Sequence, residues 1–154
     1  MRSGKRRWLL VGLLCLGLWP VVAASAQETR WDSIMAGAAR AYQQADYAQA
    51  EKLLLAALKE AEKFGEQDPR FATSLNNLAE LYRAQGKYAQ AEPLYRRALA
   101  IREKALGPEH PNVAAVLENY ADLLRKMKRD AEAEKMEARA QAIRAKHAQE
   151  NPQK

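Results

Sequence analysis

Side chains capable of covalent chemistry are scarce in this chain of 154 residues. Its one cysteine, Cys15, lies in an apolar N-terminal stretch, and beyond residue 26 the serines are Ser33 and Ser74 and the histidines His110 and His147. No serine–histidine–acid set, metal-ligand spacing or glycine-rich phosphate loop connects them. Carboxylates abound, but pairs such as Glu132 and Glu134 fall on charged helix faces, where solvation is their simplest role. What does recur at a fixed spacing is a set of amides and charges: Asn77 with Asn119 and Arg83 with Arg125, 42 residues apart. With no catalytic constellation beside it, such a recurrence points to binding rather than turnover. The expectation is a chain that is no enzyme, with no cofactor, no metal and no small-molecule substrate.

The elements that must position these residues form a repeat. Ala72, Leu75, Asn77, Ala79, Leu81, Arg83, Ala89, Ala91, Glu92, Arg97, Ala98, Ala100, Ile101, Arg102 and Lys104 reappear unchanged 42 residues later, giving fifteen identities over the thirty-three positions 72–104. A period of this size marks stacked copies of one supersecondary unit, each too small to bury its apolar face alone. In the central copy Ala72, Leu75, Leu78, Ala79 and Tyr82 trace one face of a helix, with Asn76, Glu80 and Arg83 opposite. Gly86 can end that helix in a left-handed conformation. A second helical pattern, through Ala91, Leu94, Tyr95, Ala98, Leu99 and Ile101, runs to Gly107, with Pro93 near its first turn. In the connectors, Asp68 is a natural N-cap, Pro69 a natural first helical residue, and His110 stands where Asp68 does.

An earlier copy is shorter by a residue: Tyr47-Ala48-Gln49-Ala50-Glu51 repeats Tyr88-Ala89-Gln90-Ala91-Glu92, and its turn is Ala45-Asp46, without glycine. The last copy keeps only a thin stripe, Ala133, Met136, Ala140 and Ile143, as a terminal helix needs in order to stop stacking. The fold class is all-α, an α-α superhelix of about three helix-turn-helix pairs at 32–66, 72–107 and 114–146. The repeat domain spans 27–147, and residues 148–154 form a frayed tail.

Residues 1–26 stand outside the repeat. Arg2, Lys5, Arg6 and Arg7 precede an apolar run over 8–24, and Ala24-Ser25-Ala26 supplies the small residues a signal peptidase reads. The expectation is a signal peptide cut after Ala26 and a periplasmic or secreted product. Retention of the segment as an inner-membrane anchor is the competing outcome, and only then does the chain contact a membrane. Four basic and no acidic residues lie in 1–26, so the chain's 25 basic and 19 acidic residues become 21 and 19, or +2. Nucleic acid is not the expected partner of so nearly neutral a product.

The segments Leu75-Asn76-Asn77-Leu78-Ala79-Glu80-Leu81-Tyr82, Gln85-Gly86-Lys87-Tyr88-Ala89-Gln90-Ala91-Glu92-Pro93-Leu94-Tyr95, Arg97-Ala98-Leu99 and Leu106-Gly107-Pro108-Glu109-His110-Pro111 resemble the tetratricopeptide repeat, in the 42-residue variety found in kinesin light chains. The resemblance covers roughly residues 32–146. It implies a right-handed arc whose first helices line a concave face, and a role in holding other proteins or peptides there. The groove residues it implies are Arg40 and Gln43 in the first pair, and Thr73, Asn76, Asn77, Glu80 and Arg83 in the second. Glu118, Asn119, Asp122, Arg125 and Lys126 follow in the third. Asn77 and Asn119 match the family's recurrent groove asparagine, while the first copy has Gly37 there. Two readings of these asparagines stand side by side: contact with a bound peptide, or a structural bond fixing the angle between repeats. The expected partner is a protein or peptide of the cell envelope. The apolar end around Trp31, Ile34 and Met35 also suits pairing with a second copy.

Overall fold

In this computed structural model residues 19–150 are described, with side chains from Arg30 onward. The described residues form six α-helices: α1 (Trp19–Gln43), α2 (Tyr47–Ala61), α3 (Pro69–Ala84), α4 (Tyr88–Leu106), α5 (Pro111–Lys126) and α6 (Asp130–Glu150). A single 3-10 turn, Glu62–Phe64, prolongs α2. Helices pair as α1/α2, α3/α4 and α5/α6, and the pairs stack chiefly through α2 against α3 and α4 against α5. First helices touch one another only lightly, so they fan out along one wall.

The helix starts follow local chemistry. Asp46 accepts the Gln49 N–H, Asp68 accepts that of Arg70, and His110 Nδ1 accepts that of Asn112 at 3.1 Å. His110 is thus an N-cap, the role of Asp68 one repeat earlier. Within each pair the turn contains one residue of left-handed backbone: Ala45 (φ 57°), Gly86 (φ 73°) and Lys128 (φ 61°). Only the middle turn has the residue best suited to it. Pro93 lies deeper than its spacing implied, at the sixth residue of α4, where its missing N–H leaves the exposed Ala89 carbonyl to water.

The core runs between helices as small residues meeting large ones. Ala72, Ala79, Ala91, Ala98, Ala121 and Ala133 are wholly buried and let the backbones approach, while Phe71, Leu75, Tyr95 and Leu124 fill the space left. Stacking has its own recurring contact. Glu51 of α2 meets Lys87 in the next pair's turn at 3.7 Å, and Glu92 of α4 meets Arg129 in the turn after that at 2.8 Å. In α6 the buried residues are Ala133, Ala140 and Ile143, with Met136 half-buried, so its outer surface is polar.

Two expectations change at the ends. Trp31 does not face an open end: it packs against the core and its indole N–H donates to Ser74 Oγ at 3.0 Å. Met35 likewise packs against Ala38, Leu54 and Leu78. The helix α1 begins at Trp19, so the backbone is helical across the Ala24-Ser25-Ala26 triplet, and α6 carries helix through Glu150. The remainder of the expected signal segment, 1–18, and the last residues, 151–154, lie outside the described residues. No helix among the described residues is long and apolar enough to cross a membrane.

Candidate functional site

The first helices place Asn76 and Asn77 on α3 and Asn119 on α5, and the fold draws the three amides into one row. Asn119 Nδ2 donates to Asn76 Oδ1, and Asn76 Nδ2 donates to Asn77 Oδ1, both at 3.3 Å. Asn76, expected opposite the apolar face, is only 8% exposed because α5 of the next pair covers it. The row leaves a donor at one end, Asn77 Nδ2, and an acceptor at the other, Asn119 Oδ1, with Asn77 and Asn119 half-buried.

Arg83 and Asp122 face each other across the junction of the second and third pairs at 3.8 Å. The Arg83 side chain is not solvated surface: its Nε is buried and has no hydrogen-bond partner, as is also true of the hydroxyl of the wholly buried Tyr95. The two groups interact electrostatically without a well-formed hydrogen bond. Burial pushes the Tyr95 hydroxyl up to about 12, although Arg83 pulls the other way. Burial also disfavours the Arg83 charge, but Tyr95, Asp122 and Glu80 together outweigh it and raise its pKa. Glu80, half-buried on α3, thus belongs to the same charge cluster.

Arg125, at the position equivalent to Arg83, does not join this group. Its guanidinium turns to α6 and binds both carboxylate oxygens of Glu137 at 2.7 and 2.6 Å. Arg40 is exposed on α1. A pocket of about 170 Å³ opens between the first and second pairs, lined by Ala38, Ala39, Tyr42, Leu54, Asn77 and Glu80 among others. Leu54, in its lining, stands at the position that Tyr95 holds in the second pair. Thus the expected groove residues divide: the three asparagines, Glu80, Arg83 and Asp122 assemble around the junction of the second and third pairs, while Arg40 and Arg125 stand apart.

A further groove residue escaped the sequence reading. Arg102 reaches from α4 to the first-helix wall, where Nη2 donates to Thr73 Oγ1 at 3.0 Å and Nη1 to the Asn112 carbonyl at 3.4 Å. Its Nε is buried without a partner, and burial alone holds its pKa below the usual guanidinium value. A signal for it existed in the repeat register. Arg144, 42 residues on, has Glu118 for a partner, whereas the position of Glu118 in the second pair is Asn76.

No group of three or more histidine, cysteine or carboxylate side chains among the described residues is arranged to hold a metal ion. The fold and site together define an α-helical solenoid of three helix pairs with a mixed-charge, amide-lined wall. The chain belongs to the tetratricopeptide repeat family, whose model matches residues 34–104 and again 70–146. Among solved structures it is similar to BtubC (BKLC) from P. vanneervenii, with a TM-score of 0.70 and 28% identity over 76% of this chain and 47% of that one. It is equally similar to a Podosopora anserina putative kinesin light chain with nearly identical TPR-like repeats, with a TM-score of 0.70 and 28% identity over 77% and 56% of the two chains. This chain therefore spans about half the length of those proteins. No curated protein matches it. Tetratricopeptide repeats generally serve as protein–protein interaction modules.

Proposed function

We propose that this chain is an exported, non-catalytic adaptor or assembly factor that holds a protein or peptide partner of the cell envelope against its first-helix wall. The observation that carries the reading is the asparagine row. It ends in a donor at Asn77 and an acceptor at Asn119, the pair of groups that an extended backbone presents in reverse. Around it, Glu80, Arg83 and Asp122 offer both signs of charge, which suits the side chains of a protein segment better than a polyanion. Export rests on the basic start, the apolar run over 8–24 and the Ala24-Ser25-Ala26 triplet.

The test is crosslinking in cells on the natively expressed protein, beside an Asn77→Ala/Asn119→Ala version, with mass spectrometry of what is captured. A partner held by the wild type and lost by the still-folded double variant is the expected result. Identical captures move binding to another face, and capture of nothing but itself favours self-association. The same preparation reads the N-terminus: a chain starting at Gln27 supports export with cleavage, and one retaining residues 1–26 indicates a tethered scaffold.

A further inference from the structure

The two junctions between helix pairs are built on one register but filled differently. Between the second and third pairs, Arg83 reaches Asp122 at 3.8 Å and also interacts with the wholly buried Tyr95. In the preceding junction those three positions hold Gln43, Glu80 and Leu54. The carboxylate is kept, the guanidinium becomes a neutral amide and the aromatic ring becomes a leucine. All three residues line the pocket of about 170 Å³ between the first and second pairs, with Tyr42 on its wall. Glu80 is half-buried and makes no hydrogen bond or ion pair with any described residue. Arg83 feels its charge but gives its ion pair to Asp122. The Tyr42 hydroxyl has no hydrogen-bond partner among the described residues either.

A carboxylate partly withdrawn from water without a cation carries a desolvation cost, which a cation brought by a partner would offset through charge-assisted hydrogen bonds. The shape of the pocket narrows the choice of cation. A space of this order takes a group about the size of benzene. Ala38 and Leu54 give it an apolar side, against which the methylenes of a long charged side chain can lie. Tyr42 adds an aromatic ring. A guanidinium is planar, pairs with a carboxylate through two parallel N–H groups and stacks on aromatic rings, whereas an ammonium is a compact, strongly hydrated charge. We propose that the pocket between the first and second pairs is the seat of an arginine side chain of the partner, with Glu80 as its counter-ion, Tyr42 as its stacking ring and Leu54 as its apolar floor. This deepens the groove-binding reading and rests on it. The next junction excludes the same ligand, because the chain's own Arg83 and Tyr95 hold the equivalent positions.

Random peptides displayed on phage and selected on the purified full-length chain provide the probe, with affinities of the selected peptides measured by fluorescence anisotropy. The expected peptides share one arginine, and its replacement by citrulline, which keeps the shape and loses the charge, weakens binding about 10- to 100-fold. Two variants interrogate the pocket. Glu80→Gln removes the counter-ion, and Gln43→Arg supplies from within the chain the cation that the next junction carries. Each is expected to erase the difference between arginine and citrulline peptides in a double-mutant cycle, and Gln43→Arg is expected to do so without a fall in melting temperature. Peptides without a common arginine, or an arginine preference that survives both variants, would overturn the assignment while leaving the groove in place. Lysine serving as well as arginine would overturn the choice of a guanidinium. A melting temperature raised by free argininamide, with no preference among peptides, would overturn the partner assignment in favour of a small guanidino ligand. Selection of no peptide at all would overturn the groove reading as well.

Discussion

The second and third helix pairs share most of their core and differ in how they treat their charges. At one inward position the second pair has Tyr95, wholly buried, and the third has Glu137, partly exposed and bound to Arg125. At another the second pair has Asn76 and the third Glu118. The third pair closes Arg125 and Arg144 on its own Glu137 and Glu118 and turns a polar helix, α6, to solvent. The second pair exchanges them for aromatic packing and a row of amides, leaving two arginines each with a buried Nε and no partner for it. The lesson is that a repeat scaffold separates folding from recognition. The alanines and leucines that recur do the first, while the recurring asparagines and arginines change function with the neighbours each pair gives them.

Removing the side chain at the shared inward position breaks this comparison most severely. Tyr95→Ala leaves a large cavity in the core and is expected to cost about 3–5 kcal/mol in denaturant unfolding, whereas Glu137→Ala is expected to leave the midpoint near that of the wild type. Equal effects would mean the two pairs are built alike. Tyr95 also gives the second pair an alkaline signature. Its folded pKa is raised, so its contribution to stability is complete below the ordinary tyrosine pKa near 10 and disappears as pH climbs towards about 12. Burial raises Tyr42, Tyr82 and Tyr120 as well, so absorbance at tyrosinate wavelengths should show several late-ionising phenols, and Tyr95→Phe should remove one of them.

A smaller effect is expected in the turns, where the second pair has Gly86 and the third forces Lys128 into the same left-handed backbone. Lys128→Gly should stabilise by about 1 kcal/mol in the same unfolding experiment, because relief of strain exceeds the added freedom of the unfolded chain. Smallest is the acid response of the third pair. Arg144 hydrogen bonds and charge hold the Glu118 carboxyl below its ordinary value, so its contribution is present above the unfolded glutamate pKa and lost as pH falls through the folded one. Glu118→Gln should flatten the decline in melting temperature below about pH 4.5 slightly. An unchanged slope would show that the Arg144–Glu118 pair is a surface contact without thermodynamic weight.

Much of this architecture was legible in the residues. The spacing of Leu75, Leu78, Tyr82, Ala91 and Ala98 implied helices that the structure forms, and Asp68, Pro69 and His110 act at the helix starts as their types suggest. Pro93 was placed a turn too early, because a proline deeper in a helix is tolerated where its orphaned carbonyl reaches water. The groove was legible as a list of first-helix positions and not as a site. Trp31 read as an end residue because its partner, Ser74, is 43 residues away. Arg102 read as one more charged residue of a second helix, since nothing in its own segment says where its head group ends.

By itself, then, the sequence determined the repeat, its period, the helix pairs and the contrast between a regular second copy and a polar last one. These follow from local periodicity and capping, which act over a few residues. The tertiary structure alone decided which charges are spent. Long side chains from second helices cross to the wall of first helices, and the stacking of one pair on the next buries Asn76, strands the Nε of Arg83 and Arg102, and joins Asn119 to the asparagine row. Desolvation and pairing depend on distances between segments that are remote along the chain, and those distances exist only once the pairs have stacked.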